Sequence, residues 1–418
     1  MRASGFLLLV LFPAFSQTIV PPETGMEFLN GRVPAPLKCQ LQPIHPTLDF
    51  AFRFHSGVSF RVPFNQYRGG GHVWTVGMRI QAENGGSAVY TLDRMALPEG
   101  TKNVADALGQ SEFLLGEGNY RASFLLMDDE GRGCRGDWTL AAHQDSAEHP
   151  VKLTIAPGAV EPLNGAVPLP RHAEGAPSVD KLTVLLHAAP VTPSMSQLHA
   201  GDTATLLASL VALLNQVTAR TVKLVVFNLD QQKELYRRDG FTLDQLADVH
   251  KAISTLQLDV VRYGALQKPA GYLDMLAHLV QAETTGENPA QMVVFLGAHS
   301  RLTGKVLADE LPQTPTPTRF LYLQYMRPIA LDLDDPTVEA WLDATSRIAT
   351  QLEMDPFDGE SAELESISLP ALRHPTQLDL CRDSIDLLMG ALKGKTLPIR
   401  KPADLAKAMQ QIVPAPAK

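Results

Sequence analysis

The stretch Lys181-Leu-Thr-Val-Leu-Leu-His187 constrains this chain more than any other. Its centre is almost purely apolar and rich in strand-favouring residues, with no polar face at every second position. A strand that is apolar on both faces must be covered on both faces, as in a parallel sheet flanked by helices. The following residues supply cover. Asp202 is placed to cap a helix carrying Leu206, Leu207, Leu210, Leu213, Leu214 and Val217, and a second apolar run, Val222–Phe227, comes directly after it. Strand, helix and strand in that order open an α/β domain.

The alternation continues to about Lys393. Thr242-Leu-Asp-Gln245 has the spacing of a capping box, and the helix it opens carries Leu243, Leu246, Val249 and Ile253 on one face. Leu258–Val261 reads as a short extended run, and Pro269–Glu283 as a helix with Leu273, Leu276 and Val280 inward. Met292–Leu296 and Phe320–Leu323 are further buried strands. Asp335 with Pro336 in the first turn starts another helix, since proline is well placed there. Glu365–Leu369 is an edge-strand candidate. Gln377–Leu392 repeats Leu378, Cys381, Ile385, Leu388 and Leu392 at helical spacing, which puts Cys381 on a buried stripe.

The first part of the chain has a different texture. At 418 residues the whole is too long for one ordinary core, so two domains are expected. From Lys38 to about residue 155 short alternating segments are broken by Gly and Asp turns, the pattern of a β-sandwich. Phe50, Phe52 and Phe54 alternate onto one face, as do Trp74, Val76 and Met78. Tyr120–Met127, the turn Asp128–Arg132 and Trp138–Ala141 make a hairpin. Asn103 is placed to cap a short helical insert ending at Leu108. Residues 156–180 are rich in Pro, Gly and Ala and read as a semi-stiff linker.

The N-terminus reads as a signal peptide over residues 1–16: Arg2, an apolar core Phe6–Phe12, and Ala14-Phe-Ser16 before Gln17. Pro13 argues against a buried helix there. Residues 17–37 form a proline-rich, extended lead-in, and residues 394–418 a tail with one short amphipathic helix. No run approaches the roughly 20 apolar residues that span a bilayer, so no integral membrane segment is expected after cleavage. Secretion or a periplasmic location follows. In such a compartment Cys39 and Cys134 are candidates for a disulfide, with two separate buried thiols as the alternative. A net charge of −9 without a basic cluster speaks against nucleic acid as partner.

The element order over Lys181–Lys393 resembles the von Willebrand factor type A (vWA) domain, in the degenerate form found in exported bacterial proteins. The most telling piece is Val222-Lys-Leu-Val-Val-Phe-Asn228, followed by Gln232-Lys-Glu-Leu-Tyr236 and the helix from Thr242. Ala270-Gly-Tyr-Leu-Asp-Met-Leu276 is similar to the family's loop and helix before its next strand. The resemblance implies an α/β, Rossmann-like and mostly parallel sheet flanked by helices, here preceded by the smaller all-β sandwich. It also implies where a metal would sit: an Asp-x-Ser-x-Ser after the first strand, a Thr before the middle helix and an Asp after the fourth strand. Those positions fall on His187-Ala-Ala-Pro-Val191, Ala270 and Phe295-Leu-Gly-Ala-His299. A hard cation needs oxygen ligands, so no metal and no cofactor is expected.

Other candidates are His187 and His299, which both follow buried strands and so belong near the carboxyl end of the sheet, where open α/β sheets bind ligands. Asp274 is the third ligand-facing candidate. A metal or substrate pair is one reading; polar residues in the loops of a retired site is the other. Arg68-Gly-Gly-Gly-His72 lacks the ending of a phosphate loop. Arg135-Gly-Asp137 is a short tripeptide of the kind chance supplies, Ser366 and Ser368 lack a nucleophile-elbow context, and Asp128–Asp129 belong to a turn. The expectation is therefore a non-catalytic exported protein that binds a protein partner or surface in the cell envelope. The alternatives are an enzyme using His187 and His299, or a structural subunit of an envelope assembly.

Overall fold

The computed structural model describes residues 18–67, 71–97, 106–144, 151–163, 177–191, 198, 200–258, 263–285, 289–311, 317–326 and 382–412. It is mixed α/β and divides into two compact units, residues 1–168 and 169–418. The signal-peptide segment, the Asp335 helix, Glu365–Leu369, Ser366, Ser368 and Cys381 lie outside the described residues.

In the first unit, β1 (Thr18–Val20), α1 (Pro22–Asn30), β2 (Ala35–Pro36), β3 (Gln40–Leu48) and β4 (Phe54–Pro63) are followed by β5 (Val73–Ala82), β6 (Val89–Ala96), β7 (Asp106–Leu115), β8 (Gly118–Asp128), β9 (Arg132–Ala142) and β10 (Val160–Pro162). Two sheets form, ordered β1-β6-β5-β8-β9-β2 and β10-β7-β4-β3. Strict alternation drives their packing. Trp74, Val76, Met78 and Ile80 from one sheet and Val58, Phe60, Phe113 and Leu115 from the other share a single core. The Phe60 ring sits 5.8 Å from Trp74 and 5.4 Å from Phe124. Tyr120, at the start of β8, donates its buried hydroxyl back to the Gly116 carbonyl at 2.8 Å, the tyrosine-corner device of immunoglobulin-like sandwiches. The sulfurs of Cys39 and Cys134 meet as a disulfide, with Cα atoms 6.2 Å apart, inside the range such bonds require.

Several expectations need correction here. Residues 17–37 are not simply extended: β1 pairs with β6, and α1 lays Phe28 and Leu29 against Tyr90 and Leu125. The approach of Phe28 depends on Gly77, where a Cβ would stand 2.5 Å from the Phe28 ring. Asp49–Arg53 is a turn and not a strand. The Asp49 carboxylate accepts from the Ala51 and Arg53 backbones at 2.9 Å, and Phe52 takes a φ of 57°. Asp128 does the same with Glu130 and Arg132, so it is a buried turn former. Leu108 and Gly109 belong to strand β7 and not to a helical insert. Residues 160–162 pair with β7, so the sandwich runs past the expected boundary at 155. Arg135-Gly-Asp137 lies within β9, paired along its length with β8.

The second unit contains β11 (Val179–His187), α2 (Ala200–Gln216), β12 (Ala219–Asn228), β13 (Lys233–Asp239), α3 (Leu246–Ser254), α4 (Tyr263–Gln267), α5 (Gly271–Thr284), β14 (Met292–Ala298), β15 (Arg319–Tyr325), α6 (Ser384–Ala391), β16 (Lys395–Ile399) and α7 (Pro402–Ile412). One sheet runs β13-β12-β11-β14-β15-β16. All neighbours are parallel except β13, which folds back antiparallel on β12. The two-faced apolar strands are buried throughout, and Val184, Leu185, Val225, Val294 and Phe295 have no accessible surface. A buried carboxylate, Glu283 on α5, accepts from Thr183 at 2.7 Å and meets Lys223 Nζ at 2.6 Å.

Boundaries again shift. The sheet begins at Val179, inside the expected linker, and takes its last strand from Lys395–Ile399, inside the expected tail. Asp202 sits within the first turn of α2 instead of capping it, and accepts from the Val191 amide at 3.3 Å. Of the helix expected over Gln377–Leu392, residues 377–381 lie outside the described residues; the described part is the helix Ser384–Ala391, whose N-cap Asp383 accepts from Asp386 N.

Candidate functional site

Five parallel strands end side by side, and their carboxyl ends carry two groups of polar residues, one around His187 and Asn228 and one around Asp383. His187 closes β11 in register with Phe227 of β12 and Gly297 of β14. Its ring is fully buried and stacks on Phe227, with centroids 5.2 Å apart. Nε2 accepts from the Leu229 amide at 3.4 Å. Nδ1 has no partner at hydrogen-bonding geometry, although the Ala298 backbone is near enough to favour a proton on the ring. Burial pushes the His187 pKa down, and the charges of Asp230 and Asp383 only partly oppose it. The imidazole is therefore neutral, with Nε2 as acceptor.

Asn228 joins the loops after β11 and β12. Its amide donates to Ala188 O at 2.7 Å, and its carbonyl accepts from Gln231 N at 2.8 Å.

The centre of the second group is Asp383, which is fully buried. Its Oδ2 accepts from Ser300 N at 2.9 Å, Tyr322 OH at 2.9 Å and Gln324 Nε2 at 3.2 Å. Its Oδ1 accepts from Asp386 N at 2.7 Å. One carboxylate thus binds the β14 loop, the end of β15 and the start of α6. Burial, and then the Asp383 charge, holds the Tyr322 hydroxyl well above its ordinary pKa, so it stays a donor. Gln324 also donates to His299 Nδ1 at 3.0 Å, which makes that nitrogen an acceptor. Beside it, Tyr325 and Ser209 pair through their hydroxyls, and Ser209 donates to Thr205 O at 2.6 Å, tying β15 to α2. At the surface, Arg301 and Asp230 close the rim with a 2.8 Å ion pair.

Both histidines expected at this end are there, in separate settings: His187 against Phe227 and Leu229, His299 against Gln324 and Asp383. Asp274 is exposed on the first turn of α5. Among the described residues no three His, Cys, Asp or Glu side chains converge as a metal set. At the positions where the vWA resemblance implies ligands stand Ala189, Ala270 (the N-cap of α5) and Gly297, none with a side-chain oxygen. Asp383, Tyr322 and Gln324 were missed from sequence. The available signal was the Asp383-Ser-Ile-Asp386 start of α6, a recognisable cap that an uninterrupted apolar stripe concealed. A surface depression of about 380 Å³ opens on the sandwich, lined in part by His45, Glu83, Asn119 and Thr139.

No protein-family model matches the chain, and no curated protein matches it. Solved structures with some likeness include a protein assigned as ApaA from Bordetella pertussis, 13% identical, covering 27% of this chain and 98% of its own, with a TM-score of 0.17. A protein assigned as a β-galactosidase from Bacteroides fragilis is 10% identical over 74% of this chain and 44% of its own, at a TM-score of 0.19. A glycosyl hydrolase family 2 member from Bacteroides cellulosilyticus is 11% identical over 73% of this chain and 37% of its own, at 0.18. Scores this low carry no argument about fold or activity.

Proposed function

We propose that the chain is an exported, non-catalytic protein whose second unit is a metal-free vWA-like domain that binds a protein partner or surface in the cell envelope. The observation that carries this reading is the closed polar network around Asp383. The carboxylate that would be the strongest chemical group at the sheet's carboxyl end is spent on four intramolecular hydrogen bonds, where it orders loops instead of meeting a substrate. The strand order, with the antiparallel strand at one edge and the first strand of the unit third in line, supports the vWA-like arrangement. Ordered loops over a rigid sheet suit recognition by shape.

The experiment is capture from the native envelope by cross-linking, with the full chain as bait and an Arg301→Glu variant as control. Arg301 is over half exposed at the rim, so its reversal should leave the fold intact and weaken capture of a specific partner several-fold. Equal capture by both baits, together with turnover of a small substrate that is lost in His299→Ala, would replace the binding reading with an enzymatic one.

A further inference from the structure

β6 places an acidic residue where its alternation calls for an apolar one. Asp93 pairs across to Val76 of β5, and Thr91 to Met78. Residues directly opposite on neighbouring strands share a face, and Val76, Met78 and Met95 belong to the sandwich core. Asp93 and Thr91 therefore point inward, at 6% and 2% exposure. Arg94 is exposed on the other face, as strand alternation requires. The buried Thr91 hydroxyl has no partner, so it does not share the Asp93 charge. Burial, opposed only by the Thr18 N–H, raises the Asp93 pKa to about 6, and no charged side chain contributes. The carboxylate's contact is with β1: Oδ1 accepts from the Thr18 backbone N–H at 3.2 Å.

β1 is the weakest point of that sheet. It lies at the edge, pairs with β6 over three residues only (Thr18↔Leu92, Ile19↔Thr91, Val20↔Tyr90), and Ile19 at its middle is 50% exposed. The next element, α1, is held separately through Leu29, which packs with Tyr90 and Leu125. Detaching β1 is therefore a local event, and it brings water to the carboxylate that Thr18 covers. A carboxyl group facing an apolar core without a cation is tolerated while protonated and costly once charged. We propose that Asp93 is a pH-sensitive latch on β1: the protonated carboxyl keeps the strand docked, and ionisation favours an opened form in which the carboxylate is hydrated and the β6 edge is free. The proton is lost to water and regained from it, so no other reactant takes part. The sign follows from the two forms. The docked form keeps its proton up to about pH 6, the opened form only up to the ordinary 3.8. Docking is therefore strongest at low pH, weakens between those values and is weakest above 6, the reverse of an ion-paired carboxylate.

The test is hydrogen exchange of the full 418-residue chain from about pH 4 to about pH 7.5, corrected for the intrinsic pH dependence of exchange and read amide by amide. Protection of the β1 amides should fall by about 10- to 100-fold as the pH rises and level off above about pH 6, each pKa unit between the two forms being worth tenfold. Amides of β5 and of β10, the three-residue edge strand of the other sheet, should hold constant over the same range. Asp93→Asn has nearly the same shape and no titrating proton, so its β1 protection should be flat. Constant β1 protection in the native chain would overturn the latch, as would a pH profile that survives in Asp93→Asn. Should Asp93→Asn not fold, the native profile decides alone: a loss of protection confined to β1 that levels off above about pH 6 sustains the latch, and a flat profile, or one shared with β5 and β10, ends it.

Discussion

At the residue scale the second unit depends on Asp383 and His187. Replacing Asp383 by alanine leaves Tyr322, Gln324 and two backbone amides without their common acceptor and removes the cap of α6. Breaking such a buried charged network costs about 3–5 kcal/mol, to be read from the midpoint of urea unfolding. Asp383→Asn keeps an acceptor and should lose less. His187 carries a pH signature. Its folded pKa lies below the unfolded value of about 6.5, so the unfolded chain binds the extra proton first. Stability is then full above pH 6.5 and declines as the pH falls below it. A His187→Gln variant, which has no titrating ring, should show a flatter stability profile over that interval. An unchanged slope would mean that the ring titrates normally.

Elements in this protein are set by what they touch as much as by their own pattern. β14 illustrates the point. Its apolar run made a strand the natural expectation, but Gly297 within it is there for a neighbour: a Cβ would stand 2.6 Å from His187 Cβ and 2.7 Å from its carbonyl oxygen. Gly297→Ala should therefore destabilise by about 1–3 kcal/mol, as overpacking does, despite alanine's better intrinsic rigidity. The size of the effect is measurable by chemical unfolding. The same dependence on neighbours explains the turn at Asp49–Arg53. Phe50, Phe52 and Phe54 alternate as a strand would, but a carboxylate accepting two backbone amides offers the chain a competing closed turn, and it wins.

At the scale of the whole molecule, stability in the sandwich leans on one cross-link. The Cys39–Cys134 bond closes a separation of 95 residues. On the chain-entropy account a loop of that size is worth about 4–5 kcal/mol, so reduction, or a Cys39→Ser/Cys134→Ser pair, should lower the melting point of the sandwich sharply. Two free thiols by mass after purification under oxidising conditions would contradict the bond. For the second unit, millimolar Mg²⁺ should leave the melting temperature unchanged, because water offers the ion more oxygens than Ala189, Ala270 and Gly297 do. A rise that disappears in Asp274→Ala would show a remodelled site in use.

What the sequence alone determined is what depends on local repetition. Two-faced apolar runs such as Leu182–Leu186 and Val222–Phe227 have to be covered strands, and alternating runs such as Trp74–Ile80 have to be one-faced ones, because side-chain period and solvent leave no other choice. The two textures were therefore legible, as were the cysteine pair and the placement of His187 and His299 at strand ends. What only the tertiary structure decided is pairing across long separations. Residues 18–20 and 160–162 join sheets begun elsewhere, and Lys395–Ile399 supplies the last strand of the parallel sheet, since a backbone edge needs a partner and takes it from wherever the chain returns. Asp383 belongs to the same class. In sequence it sits beside an apolar helix stripe that continues past it; in space it is the acceptor for donors in the loop after β14, on β15 and on α6, and desolvation makes each of those bonds hard to replace.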